Sequence, residues 1–193
     1  MSTRLTIARL GAQGDGIADT AKGPVYVPFA LPGETVTAAI NKDRADLIAV
    51  IEPSPQRIEP VCRHFGTCGG CELQHLEEGA YGVLKRETVV TALRQRGLDV
   101  EVGDLITCPP ASRRRVSWTA QRTDRGVLLG YRKALSHDIV DIEEDPIAAP
   151  AIEGAIDLVR ELAGVVCATQ DAFRLAISAT ASRIASRSPC MAG

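Results

Sequence analysis

Three cysteines crowd into ten residues and constrain this chain more than any other feature of its sequence. Cys62, Cys68 and Cys71 follow a C-x5-C-x2-C spacing, with Gly69 and Gly70 inside the closer pair. Two residues between cysteines let one turn aim both sulfurs at a single metal centre, and glycines there permit positive φ angles and close approach. The spacing by itself leaves an iron–sulfur cluster, zinc and simple burial all open.

The cysteine usage also bears on the cellular compartment. The other cysteines, Cys108, Cys167 and Cys190, are scattered along the chain. The N-terminus shows no apolar stretch of signal-peptide length, and no apolar run approaches the roughly 18 residues of a membrane span. We therefore expect a cytoplasmic protein without a membrane partner, in which six cysteines rarely form disulfides and metal binding is the leading explanation. If the metal is zinc, His64 or His75 is a candidate fourth ligand.

Short apolar segments separated by turn residues fill the first fifty positions. The pairs Asp15-Gly16, Lys22-Gly23 and Pro32-Gly33 supply the turns. About five strands in this length predict a small OB-like, five-stranded barrel. Its GAQGDG stretch is not expected to be a phosphate-binding loop, because such a loop opens a helix and this one leads into another strand. Barrels of this kind often bind single-stranded nucleic acid, although some serve only structural or interaction roles.

A mixed α+β region follows the cysteine segment. A helix is predicted from about Ala80 to Arg96, with Gly97 placed to end it. A β-hairpin, a further short strand and a second helix from about Pro150 to Leu162 make up an incomplete α+β central domain. The last part, rich in Ala, Ser and Arg, is expected to be a divergent, disordered tail. The predicted division is a barrel at 1–54, the cysteine segment at 55–78, the central domain at 79–165 and the tail at 166–193.

Basic residues concentrate in the predicted hairpin of a weakly acidic chain. The net charge of −2 argues against indiscriminate coating of nucleic acid, so any RNA contact must be local. Strand alternation places Arg113 and Arg115 on one face, able to grip phosphates, and Trp118 on the opposite, core-facing side. We take Arg113, Arg115, Arg132 and Lys133 as candidate RNA-binding residues, with an ordinary solvated hairpin as the alternative. The basic residues of the hairpin are Arg113, Arg114, Arg115, Arg122, Arg125, Arg132 and Lys133.

Several motifs in a fixed order resemble those of a known enzyme family. They are LPGE at 31–34, PSPQRIEPVCRHFGTCGGCELQH at 53–75, and GYRKALSHDIVDIEEDPI at 130–147. In this order they resemble the 23S ribosomal RNA uracil-5 methyltransferase branch of the RNA uracil-methyltransferase family, over about residues 3–165. The resemblance implies a TRAM barrel, a 4Fe-4S cluster held by four cysteines, a central RNA-binding domain and a Rossmann domain that binds S-adenosylmethionine.

The resemblance also implies a ligand set for the cluster. Cys62, Cys68 and Cys71 fall on three of the four family ligand positions, and Asp145, followed by Pro146, stands where the family has its fourth cysteine. A carboxylate oxygen is a harder ligand than a thiolate and suits an iron–sulfur cluster less well. The expected outcomes are a cluster completed by Asp145 or by an exogenous ligand, an oxidation-labile cluster, or no cluster. Cys108 is an alternative fourth donor.

The family's catalytic groups have no counterpart in this sequence. Nothing matches the family's nucleophile motif SCNP or its glycine-rich S-adenosylmethionine loop, so we expect a chain truncated before the Rossmann domain and inactive by itself. S-adenosylmethionine would bind only in the missing half. The expected partner is RNA, specifically ribosomal RNA, and the expected state is a monomer. A gene fragment is one explanation, and a stand-alone RNA-binding cluster or zinc module that acts with a partner is the other.

Overall fold

The computed structural model describes residues 2–134, 136–167 and 169–180. The other positions, which include Cys190 and the end of the predicted tail, lie outside the described residues. The strands are β1 Ser2–Thr6, β2 Arg9–Leu10, β3 Gly16–Thr20, β4 Gly23–Val27, β5 Thr35–Asn41, β6 Arg44–Glu52, β7 Arg115–Thr123, β8 Gly126–Arg132, β9 Ile139–Asp141 and β10 Phe173–Ser178. The helices are α1 Glu78–Gln95, α2 Pro150–Glu153 and α3 Ile156–Val166.

The first six strands form a sheet that closes on itself. Its strand order is β1-β5-β6-β4-β3-β2, and the two end strands are consecutive in the chain, joined at Ile7 and Ala8. Ile7 donates to Glu34 O on one side, while Ala8 donates to Ile17 O on the other. β1 and β2 therefore act as one bent strand that contacts both edges of the curled sheet. With these two counted together, the predicted five-stranded, OB-like barrel is confirmed.

Alternating apolar residues fill the barrel. β5 shows the period of two clearly, since Val36 and Ala38 are fully buried while their neighbours are partly exposed. Gly16 is required at its position, because a Cβ there would lie 2.7 Å from Ala30 O. The buried core consists of Leu5, Ile7, Ala18, Val25, Val27, Ala30, Val36, Ala38 and Ala45.

A buried ion pair joins the barrel to the cysteine segment. Glu34 is fully buried, and its Oε1 lies 2.5 Å from Arg57 Nε. Leu31 N and Ser54 N also donate to this carboxylate. Burial alone would raise the pKa of Glu34, but these hydrogen bonds and the Arg57 charge together hold it below its usual value. The turn at Gly33, with φ +83°, brings Glu34 back to Leu31.

The helix after the cysteine segment begins and ends close to the predicted bounds. The Glu77 side chain accepts from Gly79 N and Ala80 N and so caps the N-terminus of α1. Gly97 adopts φ +73° just past the end, as predicted for a helix-stopping glycine. α1 is largely exposed; Leu84 packs on a small cluster of Leu31, Leu73 and Leu76 that lies between barrel and cysteine segment.

The second sheet has the order β10-β7-β8-β9 and is antiparallel throughout. β7 and β8 form the predicted hairpin, and α3 packs against them. Trp118 is fully buried in this core, as its strand position indicated. The core consists of Val116, Trp118, Ala120, Leu129, Ile142, Ala148, Ile152, Ile156 and Ala163. Within the described part of the chain, no helix combines the length and apolar character needed to cross a membrane.

Two predictions about the last third of the chain were wrong. The single helix predicted from Pro150 to Leu162 is divided, because Gly154 caps α2 and α3 starts afresh at Ile156. Residues 173–178, placed in a disordered tail, form β10 and pair with β7 over its first six residues. Phe173, Leu175 and Ile177 of β10 pack on the second core, and this burial is what orders the strand.

Candidate metal centre and nucleic-acid interface

The folded chain brings the three clustered cysteines and Asp145 together. Cys62, Cys68, Cys71 and Asp145 all line one cavity between the cysteine segment and the second sheet. Asp145 lies over seventy residues further along the chain, so only the fold places it there. The cavity between these side chains is small, about 20 Å³; Cys68 is buried and Cys62 and Cys71 are half-buried.

Polar contacts fasten the cysteine segment to the residues before Asp145. Arg63 N donates to Glu144 Oε1 at 2.8 Å, and the Arg63 guanidinium contacts both Glu143 and Glu144. Glu143 N donates to His64 Nε2 at 3.0 Å. These exposed ion pairs add little stability each, but several in one place fix the relative position of the two segments. The segment that leads to Asp145 is thereby held against the cysteine segment.

The two glycines of the cysteine turn are needed for close approach. A Cβ on Gly69 would lie 2.6 Å from Arg132 O, and Gly69 N donates to that same oxygen at 2.9 Å. A Cβ on Gly70 would lie 3.1 Å from the Tyr131 ring. Neither glycine adopts a positive φ, so that part of the prediction was wrong. The turn docks on β8 through its backbone, and a side chain at Gly69 would prevent this.

The three thiols and the carboxylate lie close together in a partly buried place. Burial raises the pKa of Cys68, and the nearby Cys71, Cys62 and Asp145 raise it further. Burial likewise raises the pKa of Cys62, with contributions from Glu144, Cys71 and Asp145. Three thiols and a carboxylate are mutually unfavourable as anions unless a cation lies among them. In kind these are donors that metal centres use, and all four line one cavity.

A tyrosine hydroxyl holds the carboxylate of this set. Asp145 is buried, and Tyr131 Oη donates to its Oδ2 at 2.8 Å. Burial first, and then the hydrogen bond to Asp145, raise the pKa of Tyr131 well above its usual value, so the hydroxyl remains a donor. Sequence reasoning did not identify Tyr131, because a tyrosine in a strand carries no signal of the partner that its hydroxyl reaches.

Other candidate ligands take different places. His64 lines the cavity, but its Nε2 already accepts from Glu143 N. His75 is fully buried between Phe29 and Phe65, away from the lining. The alternative donor Cys108 is exposed and also lies outside the lining. Among the residues that the structure describes, no three His, Cys, Asp or Glu side chains stand close enough to share a single metal ion.

An exposed basic face lies on the second sheet. Thr119 pairs with both Gly130 and Arg174, so these positions share one face. Alternation along β7 and β8 adds Arg115 and Arg132 to it. All three arginines are exposed, and on β7 the opposite side is the buried one. Arg174 was missed by sequence reasoning, since its segment was expected to be disordered.

The structure separates the other two predicted RNA contacts from this face. Arg113 lies before β7, bridges to Ala148 and lines the cysteine cavity. Its predicted place beside Arg115 on the phosphate-gripping face was therefore wrong, because β7 begins only at Arg115. The backbone of Lys133 forms an isolated β-bridge with that of Cys68, and the Lys133 Nζ lies 3.3 Å from Asp138 Oδ2.

Comparison with known proteins agrees with the motif order. Residues 3–46 match the TRAM domain family. An uncharacterized RNA methyltransferase of Mesorhizobium japonicum is 52% identical over 94% of this chain and 44% of its own length. One from Rhizobium meliloti is 49% identical over 93% of this chain and 45% of its own length. A 23S rRNA (uracil(1939)-C(5))-methyltransferase RlmD of Marinomonas posidonica is 36% identical over 72% of this chain and 34% of its own length.

The chain thus spans less than half the length of the relatives it matches. The match begins in the barrel and continues through the cysteine segment into the second sheet, since it covers 94% of the chain. The resemblance indicated by the cysteine motif is confirmed. The chain is a TRAM-domain protein homologous to part of proteins named RNA methyltransferases.

Proposed function

We propose that this chain is the RNA-binding, iron–sulfur portion of an S-adenosylmethionine-dependent ribosomal RNA uracil-5 methyltransferase. The observation that carries the proposal is the convergence of Cys62, Cys68, Cys71 and Asp145 on one cavity. The relatives named as 23S rRNA uracil-C5 methyltransferases supply the substrate class. Methyl transfer itself is assigned to the part of those proteins that this chain does not span.

The donor set favours an iron–sulfur cluster over simple burial of thiols. Burial of unpaired thiols beside a buried carboxylate gains nothing electrostatically, whereas a cationic centre would lower the pKa of Cys62 and Cys68 and bind their thiolates. A single zinc ion needs its sulfurs within about 4 Å of one another, given Zn–S bonds of about 2.3 Å. A four-iron cluster takes donors that are more widely spaced, because each binds a different iron. Among the described residues no three such donors are close enough to share a single ion, which favours the cluster over zinc.

Metal analysis tests this part of the proposal. Protein reconstituted anaerobically with iron and sulfide should show a broad visible absorbance shoulder and bind about four iron and four sulfide per chain. Stoichiometric zinc without sulfide would support the zinc module instead and refute the cluster. A Cys68→Ser variant should lose most of the iron, while Cys108→Ser, outside the cavity, should retain it.

The exposed basic face is proposed as the RNA contact of this part of the protein. Arg115, Arg132 and Arg174 project from neighbouring strands on one side of the sheet, opposite the apolar core. Arginines spaced along strands in this way can each meet a phosphate of one RNA segment. The TRAM barrel offers a second surface for the same RNA, which follows from the known role of such barrels in holding single strands.

Salt dependence of binding tests the basic face. With a fluorescein-labelled single-stranded ribosomal RNA fragment, Arg115→Glu and Arg174→Glu, made separately, should each weaken binding and reduce the logarithmic salt slope by about 0.7, the value for one phosphate contact. Arg125→Glu makes the same single charge change at the exposed hairpin tip, about 25 Å along β7 from Arg115, and is the matched control. An equal effect of all three changes would show non-specific attraction and remove the assignment.

A further inference from the structure

Tyr131 contacts both parts of the candidate metal centre with one side chain. Its ring lies against the cysteine turn, where a Cβ on Gly70 would come within 3.1 Å of Cδ2. Its hydroxyl, at the other end of the ring, donates to Asp145 Oδ2 at 2.8 Å. Tyr131 also lines the cavity itself. The side chain therefore spans from the turn that carries Cys68 and Cys71 to the carboxylate that faces them.

We propose that Tyr131 is a positioning residue that fixes Asp145 as the fourth, oxygen-donor ligand of the cluster; this rests on the proposed function. A carboxylate has two equivalent oxygens and rotates about its last bond, whereas a thiolate offers one sulfur. The hydrogen bond to Oδ2 stops that rotation and leaves Oδ1 to serve as the ligand atom. An oxygen ligand is weaker towards iron–sulfur clusters than a thiolate, so its orientation matters more.

The assignment differs from an ordinary buried hydrogen bond in what it controls. Hydrogen bonds to ligating carboxylates tune metal affinity, and their loss typically costs about 10–100-fold. A purely structural hydroxyl would instead affect unfolding and leave the metal content unchanged. Tyr131→Phe separates the two, because phenylalanine keeps the ring on Gly70 and removes only the donor to Asp145. Tyr81→Phe, at an exposed position on α1, is the matched control.

The experiment measures loss of one iron from the reconstituted protein. Ferricyanide removes one electron from the oxidised cluster, which releases one Fe²⁺ and leaves a three-iron cluster that is detected by electron paramagnetic resonance. Tyr131→Phe should form the three-iron signal about tenfold faster than wild type, and Tyr81→Phe should match wild type. In an Asp145→Cys background, where the ligand is a thiolate, Tyr131→Phe should have no effect. Asp145→Cys alone should outlast the wild-type cluster.

A cluster in Asp145→Cys that is no longer-lived than the wild-type cluster would remove Asp145 as a ligand and overturn the assignment. Equal rates for wild type and Tyr131→Phe would overturn the positioning role while leaving the cluster in place. An equal acceleration by Tyr131→Phe in the Asp145→Cys background would also overturn it, because the hydroxyl would then act on the whole loop. Wild-type protein that takes up no iron and sulfide would reject the proposed function, and the inference with it.

Discussion

His75 should make the stability of this protein fall steeply below neutral pH. The imidazole is fully buried against Phe29 and Phe65, and neither ring nitrogen has a hydrogen-bond partner among the described residues. Burial, and next the charge of Arg57, lower the pKa of His75 from 6.5 to about 4. The folded state therefore binds fewer protons than the unfolded state between these values. The contribution of neutral His75 to the free energy of unfolding is fully present above about pH 6.5 and is lost as the pH falls towards 4.

The magnitude follows from this lowered pKa. The pKa of His75 is 6.5 in the unfolded chain and about 4 in the folded chain. Between pH 7 and pH 5 the imidazole therefore takes up a proton almost only in the unfolded chain, which reduces the free energy of unfolding by about 2 kcal/mol. His75→Leu removes the titrating group and should lack this part of the pH dependence. Its stability at pH 7 should equal or exceed that of wild type, because two unpartnered buried nitrogens are removed.

Urea unfolding monitored by circular dichroism at pH 7 and pH 5 measures the difference directly. His137→Gln, which changes an exposed histidine, is the control and should keep the wild-type dependence. Other titrating groups are common to wild type and variant, so they cancel in the comparison. The reasoning is refuted if His75→Leu loses as much stability between the two pH values as wild type does.

Two further substitutions test the contacts that join the cysteine segment to the barrel and to the second sheet. Glu34→Gln leaves Arg57 without its buried partner and should cost about 3 kcal/mol in urea unfolding. Because the pKa of Glu34 is held below its ordinary 4.5, its contribution is complete above that pH and is lost on further acidification. The variant should then show a flatter stability profile below pH 4.5 than wild type, and identical profiles would contradict the ion pair. Gly69→Ala should lower stability by about 1–3 kcal/mol, because the new methyl group meets Arg132 O. Gly103→Ala, which has open space around it, should change the midpoint of thermal unfolding little. Equal shifts of the midpoint in the two variants would refute the docking of the Gly69 turn on β8.

Local sequence signals predicted the elements that depend on short-range chemistry. Turn pairs such as Pro32-Gly33 separate the barrel strands, and Gly97 ends α1 with a positive φ. The alternation in β7 placed Trp118 in the core correctly. The cysteine motif identified the family because its spacing and glycines are specific. Each of these features is determined within a few residues of chain.

Features that depend on distant partners were missed or misjudged. β10 reads FRLAIS and has the alternation of a strand, but the Ala-, Ser- and Arg-rich sequence that follows it suggested disorder for the whole segment. Its pairing with β7 and its packing on the second core become visible only in the folded chain. Arg113 was assigned to a strand face that starts two residues later. Arg174 and Tyr131 are ordinary strand residues in sequence, and their surroundings come from β7, β8 and the segment of Asp145.

The sequence alone determined the barrel, the cysteine turn and the family resemblance of this protein, because strand periodicity, turn glycines and cysteine spacing are local properties. The family resemblance associated Asp145 with Cys62, Cys68 and Cys71, and the tertiary structure shows all four lining one cavity. Tertiary structure alone decided that the Tyr131 hydroxyl donates to the Asp145 carboxylate. Those contacts join residues separated by up to 83 positions along the chain. They form because the glycine turn docks its backbone on β8, which no local pattern encodes.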